Sequence, residues 1–198
     1  QTFEAAGRFE AGKINKQELS HIERCSCPGC GSCAGLFTAN TMNCLTEVMG
    51  MGLAGNGTIP APYSARIKLA KEAGMQVMEL WRKNIRPRDI MTEKALYNAL
   101  TADMALGCST NTMLHLPAIA HELGIEITGD TFDRLHRGAH YLLDVRPAGR
   151  WPAEVFYYAG GVPAIMEEIR EHLHLDAMTI TGKTLGENLE ELKKSGFY

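Results

Sequence analysis

Apolar residues recur at helical intervals along this chain, and Gly, Pro or small polar residues break the pattern where helices would end. Phe3, Ala6 and Phe9 fall three apart within Thr2 to Lys13, predicting a short packing helix closed near Gly12. Lys16 to Arg24 reads as a second short helix. From Thr38 the spacing of Met42, Leu45, Val48 and Met49 predicts a helix capped by Thr38 or Asn40 and stopped by Gly50 and Gly52. Ser64 to Lys83 carries the longest pattern, with Ile67, Ala70, Gly74, Val77 and Trp81 as its inward stripe and Lys68, Lys71, Glu72 and Arg82 on other faces. A solvent-exposed Trp81 would count against that packing.

After the break at Arg86-Pro87-Arg88, Thr92 caps a helix running to about Leu106 with Ala95, Leu96, Ala99, Leu100 and Met104 inward, and Gly107 ends it. Further helices are expected over Met113 to Leu123, bent by Pro117, and over Thr131 to Arg137, Pro152 to Tyr158, Val162 to His172 and from Leu185 onward. Gly124 to Thr128 is the one segment that reads as a short strand or extended link. The chain by itself is therefore expected to be mainly α, without internal repeats.

Composition narrows the class. The 198 residues are 45% apolar and 22% charged, enough for one sizeable core and one domain by default. The net charge is −3 and the basic residues are scattered, so no nucleic-acid surface is expected. No apolar run approaches a membrane span and no signal-peptide pattern opens the sequence, so it reads as a cytoplasmic chain without a membrane partner.

The candidate chemistry sits in Cys25-Ser26-Cys27-Pro28-Gly29-Cys30-Gly31-Ser32-Cys33, four of the six cysteines within nine residues. Thiolates bind iron and other soft metals, and the Gly and Pro residues provide tight turns that present sulfur. The helix that follows would favour a thiolate at Cys33 through its positive end. A disulfide framework is the bland alternative, and a structural zinc site built on Cys27-x-x-Cys30-x-x-Cys33 with Cys25 is another. Cys44 falls inside an apolar period and reads as core. Gly55-Asn56-Gly57-Thr58 is either a plain turn or a lining of backbone N–H groups for a phosphate or carboxylate. Arg66 either holds a carboxylate or is solvated. Ser109-Thr110-Asn111 either caps the next helix or faces a substrate. His115 is a candidate for acid/base work against a plain surface role.

The run C-P-G-C-G-S-C-A-G-L-F-T-A-N-T-M-N-C-L-T-E resembles the cluster-binding stretch of the dihydroxy-acid dehydratases, a family that also holds phosphogluconate and sugar-acid dehydratases. Ala54 to Thr58, Gly107 to Leu116 and Ala159 to Pro163 resemble the same family in the same order. The resemblance implies a single fragment, residues 1 to 198, of the N-terminal, cluster-binding domain, which is α/β in the full-length enzyme. It also implies an iron–sulfur cluster, [2Fe-2S] or [4Fe-4S], Mg²⁺ in the full-length enzyme, a small dihydroxy acid as substrate and a homodimer. By the same resemblance only Cys33 carries over as a cluster ligand; Cys27 and Cys30 match family positions but not ligand positions. Ser109, Thr110 and Asn111 are tipped toward substrate binding. The implied activity is conversion of 2,3-dihydroxy-3-methyl carboxylic acids to 2-keto acids in branched-chain amino-acid biosynthesis. Sugar-acid or 6-phosphogluconate dehydration is the alternative within the family.

Overall fold

The computed structural model describes residues 2–26 and 33–198 and divides at Cys33 into two compact units, residues 1–32 and 33–198. The first unit holds α1 (Thr2–Glu10) and α2 (Lys16–Cys25). Asn15 accepts the Gln17 and Glu18 N–H groups, both at 2.9 Å, while Glu18 Oε2 accepts the Asn15 N–H at 2.8 Å, a reciprocal cap that fixes the start of α2. The predicted Phe3 stripe of α1 does not pack: Phe3 is 86% exposed and Ala5 is the buried residue.

The second unit is built from α3 (Thr38–Val48), α4 (Ser64–Arg82), α5 (Pro87–Ile90), α6 (Glu93–Leu106), α7 (Thr112–Glu122), α8 (Gly129–Gly138), α9 (Ala153–Tyr158), α10 (Gly161–Glu168) and α11 (Leu185–Ser195). The chain is mainly α, as its periodicity predicts. Among the described residues β-structure is confined to two isolated bridges, Val145 with Trp151 and Met178 with Thr184. Of the two readings of Gly124 to Thr128, a short strand or a link, the second holds: the segment pairs with no ladder among the described residues.

The core forms where α6 meets α3, α7 and α10. Leu96, Ala99, Leu100, Ala102, Ala105 and Leu106 of α6 pack with Leu45 and Val48 of α3, Leu116 of α7 and Val162 of α10. Each large aliphatic buried there contributes roughly 1.5–3 kcal/mol relative to exposure, and the alanines let neighbouring helices approach α6. Asn98, fully buried, satisfies both ends of its amide on His174, donating to its C=O at 3.1 Å and accepting its N–H at 2.7 Å.

The longest predicted helix forms over its predicted length with the wrong face inward. In α4 only Leu69 is buried, whereas Trp81 is 74% exposed, Ile67 62% and Val77 61%. The apolar stripe of α4 is real, but the described chain leaves it uncovered. Arg86-Pro87-Arg88 does not simply interrupt: Pro87 starts the short α5, with Asp89 accepting the Arg86 N–H at 2.8 Å.

Candidate active site

Two segments expected to matter, the loop of Cys33 and the turn Ser109–Asn111, meet at the first turn of α3. The N-cap of α3 is Phe37, in an extended conformation and without a side-chain cap, so the expected cap at Thr38 or Asn40 is corrected. Both polar side chains are used elsewhere. Asn40 reaches back, donating Nδ2 to Gly35 O at 2.8 Å and to Cys33 O at 3.2 Å, which ties the Cys33 loop to the helix. Gly35 is required there, since a Cβ would lie 2.6 Å from the Phe37 ring and 3.1 Å from Arg146 O.

Thr38 turns the other way. Its hydroxyl shares a 3.2 Å hydrogen bond with the Ser109 hydroxyl and accepts Asn111 Nδ2 at 2.6 Å. Thr41, one turn on and buried, accepts the Ser109 N–H at 3.1 Å. Asn111 precedes α7, but its side chain makes no cap bond, because it is spent on Thr38. The capping alternative is thereby set aside for Asn111, while Ser109 accepts the Asn111 N–H at 3.3 Å. Gly107 leads into the turn at φ +60°, and a Cβ there would meet the Tyr141 ring at 2.3 Å. Beside the turn lies a cavity of about 570 Å³ lined by Cys108, Ser109, Thr110, Met113, Phe132 and Tyr141 among others. Thr110 and His115 are exposed; the His115 N–H donates to Asn111 O at 3.0 Å, and among the described residues its ring joins none of the site's side-chain hydrogen bonds.

The thiols separate by environment. Cys33 is a free thiol exposed at the start of its unit. Cys44 is buried and donates to Gly57 O at 3.6 Å, and burial first, then Glu47, pushes its thiol far up. Cys108 is pushed up likewise, by burial first and then by Asp103 and Cys44. Both stay protonated and unsuited to metal, in keeping with the core reading of Cys44. Cys25 is exposed, its sulfur 3.8 Å from His21 Nε2. Cys27 and Cys30 lie outside the described residues. Among the described residues no three His, Cys, Asp or Glu side chains converge on a metal position; an exposed thiol such as Cys33 fits a soft metal by the chemistry of its sulfur.

Two carboxylates were not legible as functional. Glu47, buried in α3 although outside its predicted apolar period, accepts the Gly55 N–H at 2.9 Å and the Gly57 N–H at 2.8 Å. The backbone groups of the Gly55–Thr58 loop do line a carboxylate, and it is the protein's own. Burial raises Glu47 to about 7, against the lowering effects of the Gly57 and Gly55 N–H groups and of Arg66. Arg66 is half-buried rather than solvated: it donates to Asn56 O at 2.9 Å and to Ile59 O at 3.1 Å, clamping the far side of the same loop. Asp103 of α6 is the second. Burial raises it to about 6, offset by the Thr112 hydroxyl and the Cys108 thiol.

The family described as "Dihydroxy-acid/6-phosphogluconate dehydratase N-terminal" matches residues 1–188. A protein of Solidesulfovibrio magneticus named dihydroxy-acid dehydratase is 57% identical over 193 residues, covering 96% of this chain and 35% of its own length. Proteins of the same name from Ruminiclostridium cellulolyticum and Halothermothrix orenii are 57% and 55% identical, again covering 96% of this chain and 35% of the relative. The chain thus spans about a third of the length of the curated relatives it matches. By the extent of that match and the meeting of its motifs at the start of α3, the chain belongs to the dihydroxy-acid/6-phosphogluconate dehydratase N-terminal family.

Proposed function

We propose that this chain is the cluster-proximal part of an iron–sulfur hydro-lyase that converts 2,3-dihydroxy-3-methyl carboxylic acids to 2-keto acids in branched-chain amino-acid biosynthesis. The observation that carries the reading is the convergence on the first turn of α3: Asn40 ties the Cys33 loop to it, and Thr38, two residues earlier, ties the Ser109–Asn111 turn to it. A metal ligand and a set of neutral hydroxyl and amide groups are thereby held at one helix start. Such a set suits a small polyhydroxy acid, whose oxygens need positioned donors and acceptors.

In this reading Cys33 supplies one thiolate. When bound, the cluster supplies an iron with an open position that stabilises the charge on the departing hydroxyl. Ser109, Thr110 and Asn111 bind the acid and orient it, and the first turn of α3, through Thr38 on their side and Asn40 on the other, fixes their relation to the Cys33 loop. The remaining cluster ligands, the Mg²⁺ ligands and the catalytic base come from outside these 198 residues, so the chain alone is inactive; the working enzyme is a cytoplasmic homodimer. A phosphorylated sugar acid is the less favoured substrate, because the half-buried guanidinium of Arg66 is already engaged by Asn56 and Ile59 carbonyls.

The test uses the full-length enzyme purified anaerobically. Cys33→Ser should lose iron and sulfide and abolish keto-acid formation from 2,3-dihydroxy-3-methylbutanoate, whereas Cys25→Ser should cost little. Cluster and turnover retained in Cys33→Ser and lost in Cys30→Ser would move the ligand assignment three residues upstream. Stoichiometric zinc in place of iron would overturn the dehydratase reading itself.

A further inference from the structure

We propose that Asp103 is a positioning residue for the Ser109–Asn111 turn, holding both of its ends and so setting the substrate-facing groups; the proposal rests on the functional reading above. At the near end, the Asp103 backbone C=O accepts the Cys108 N–H at 3.2 Å. At the far end, its side-chain Oδ2 accepts the hydroxyl of buried Thr112 at 3.1 Å. Thr112 in turn approaches the Ser109 carbonyl with its N–H at 3.0 Å and its Oγ1 at 2.9 Å. The three residues Ser109, Thr110 and Asn111 are therefore a short arch whose two feet stand on one α6 residue.

The energetics argue that Asp103 is not there for stability. It is 4% exposed, its Oδ1 is buried without a hydrogen-bond partner among the described residues, and no cation pairs with it in its surroundings of Thr112 and Cys108. A buried carboxyl held by one hydroxyl and the weak Cys108 thiol donor, with no cation beside it, is costly, and an apolar side chain of similar size would cost less. What the carboxyl provides is direction. The one Thr112 hydroxyl proton has two acceptors within reach, Asp103 Oδ2 and Ser109 O, so Asp103 orients the Thr112 side chain against the Ser109 carbonyl. Ser109 passes that setting on, through its hydroxyl to Thr38 and its N–H to Thr41.

The full-length, cluster-loaded enzyme tests this with two readouts: steady-state kinetics on 2,3-dihydroxy-3-methylbutanoate, and calorimetric binding of 2-hydroxy-3-methylbutanoate, which lacks the leaving hydroxyl. Asp103→Ala and Thr112→Val should each raise KM and the probe's Kd about tenfold, with kcat within about threefold and iron content unchanged, a loss the size of one misplaced hydrogen-bonded group. Thr112→Ser, which keeps the hydroxyl, should restore both constants to within about twofold. If Asp103→Ala does not fold, the Thr112 pair carries the test. Unchanged KM and Kd in Thr112→Val overturn the proposal, and so does a loss of iron that Thr112→Ser does not relieve, since the pair would then serve only the fold. A wild-type enzyme that forms no keto acid overturns the functional reading instead, and this proposal with it.

Discussion

Glu47 shows how a single buried side chain can hold a loop that carries no regular structure of its own. Its two oxygens take the Gly55 and Gly57 N–H groups, and Arg66 closes the other side through Asn56 and Ile59 carbonyls. The sequence signals the loop, because Gly and Pro crowd around Asn56, but conceals its partner, since Glu47 falls outside the Met42, Leu45, Val48 and Met49 period that predicts the inward face of α3. The folded-state value of about 7 against an ordinary 4.5 fixes the sign of the pH effect. The folded state binds the proton more tightly, so this stabilisation is present below about pH 4.5 and is lost as pH rises through about 7. The full loss corresponds to about 3 kcal/mol at roughly 1.4 kcal/mol per pH unit. Asp103, raised to about 6, acts in the same direction. Thermal unfolding of this chain should therefore show stability falling between pH 5 and 8 by more in wild type than in Glu47→Gln, where only the smaller Asp103 slope remains. Equal slopes in the two proteins would show that Glu47 titrates normally.

At the scale of elements, local pattern specified which segments are helices far better than it specified which faces are covered. In α6 the predicted inward residues Ala95, Leu96, Ala99 and Leu100 are buried and Met104 is half-buried, because Thr92 fixes the start, Gly107 the end, and neighbours surround the helix on several sides. In α4 the start was equally legible, yet an apolar period records that some surface should cover the stripe without recording whether this chain supplies it. The candidate site divides the same way. Ser109–Asn111 is visible as a run of small hydrogen-bonding residues after a glycine, whereas its pairing with Thr38, 71 positions away for Ser109, leaves no local trace. Paired substitutions check the packing: Leu100→Ala should cost roughly 3 kcal/mol, from lost transfer energy and the cavity left behind. Ile67→Ala on α4 should change stability by under about 0.5 kcal/mol in the same chain. Urea unfolding curves measure both, and comparable losses would mean that the α4 stripe is buried after all.

At the scale of the molecule, the uncovered stripe and the length of the relatives point the same way. Ile67, Met75, Val77, Met78 and Trp81 are exposed on one helix, more apolar surface than an isolated element ordinarily shows to water. The relatives are about three times as long as the stretch matched here. We expect the rest of the same polypeptide to cover α4, as part of an α/β domain to which this chain contributes mainly helices. Tryptophan fluorescence distinguishes the cases because the sequence holds only two tryptophans, Trp81 and Trp151. In a Trp151→Phe background, Trp81 of the 198-residue chain should emit near the wavelength of a hydrated indole and be quenched freely by acrylamide. In the full-length protein the same residue should shift to shorter wavelength and lose most of its quenching, since its ring would leave water. Replacing Trp81 by Glu should then be tolerated in the short chain and should destabilise the long one by several kcal/mol, the cost of an unpaired charge in an apolar contact. A Trp81 that stays fully quenchable in the full-length protein would leave the α4 stripe facing solvent and the expected covering domain elsewhere.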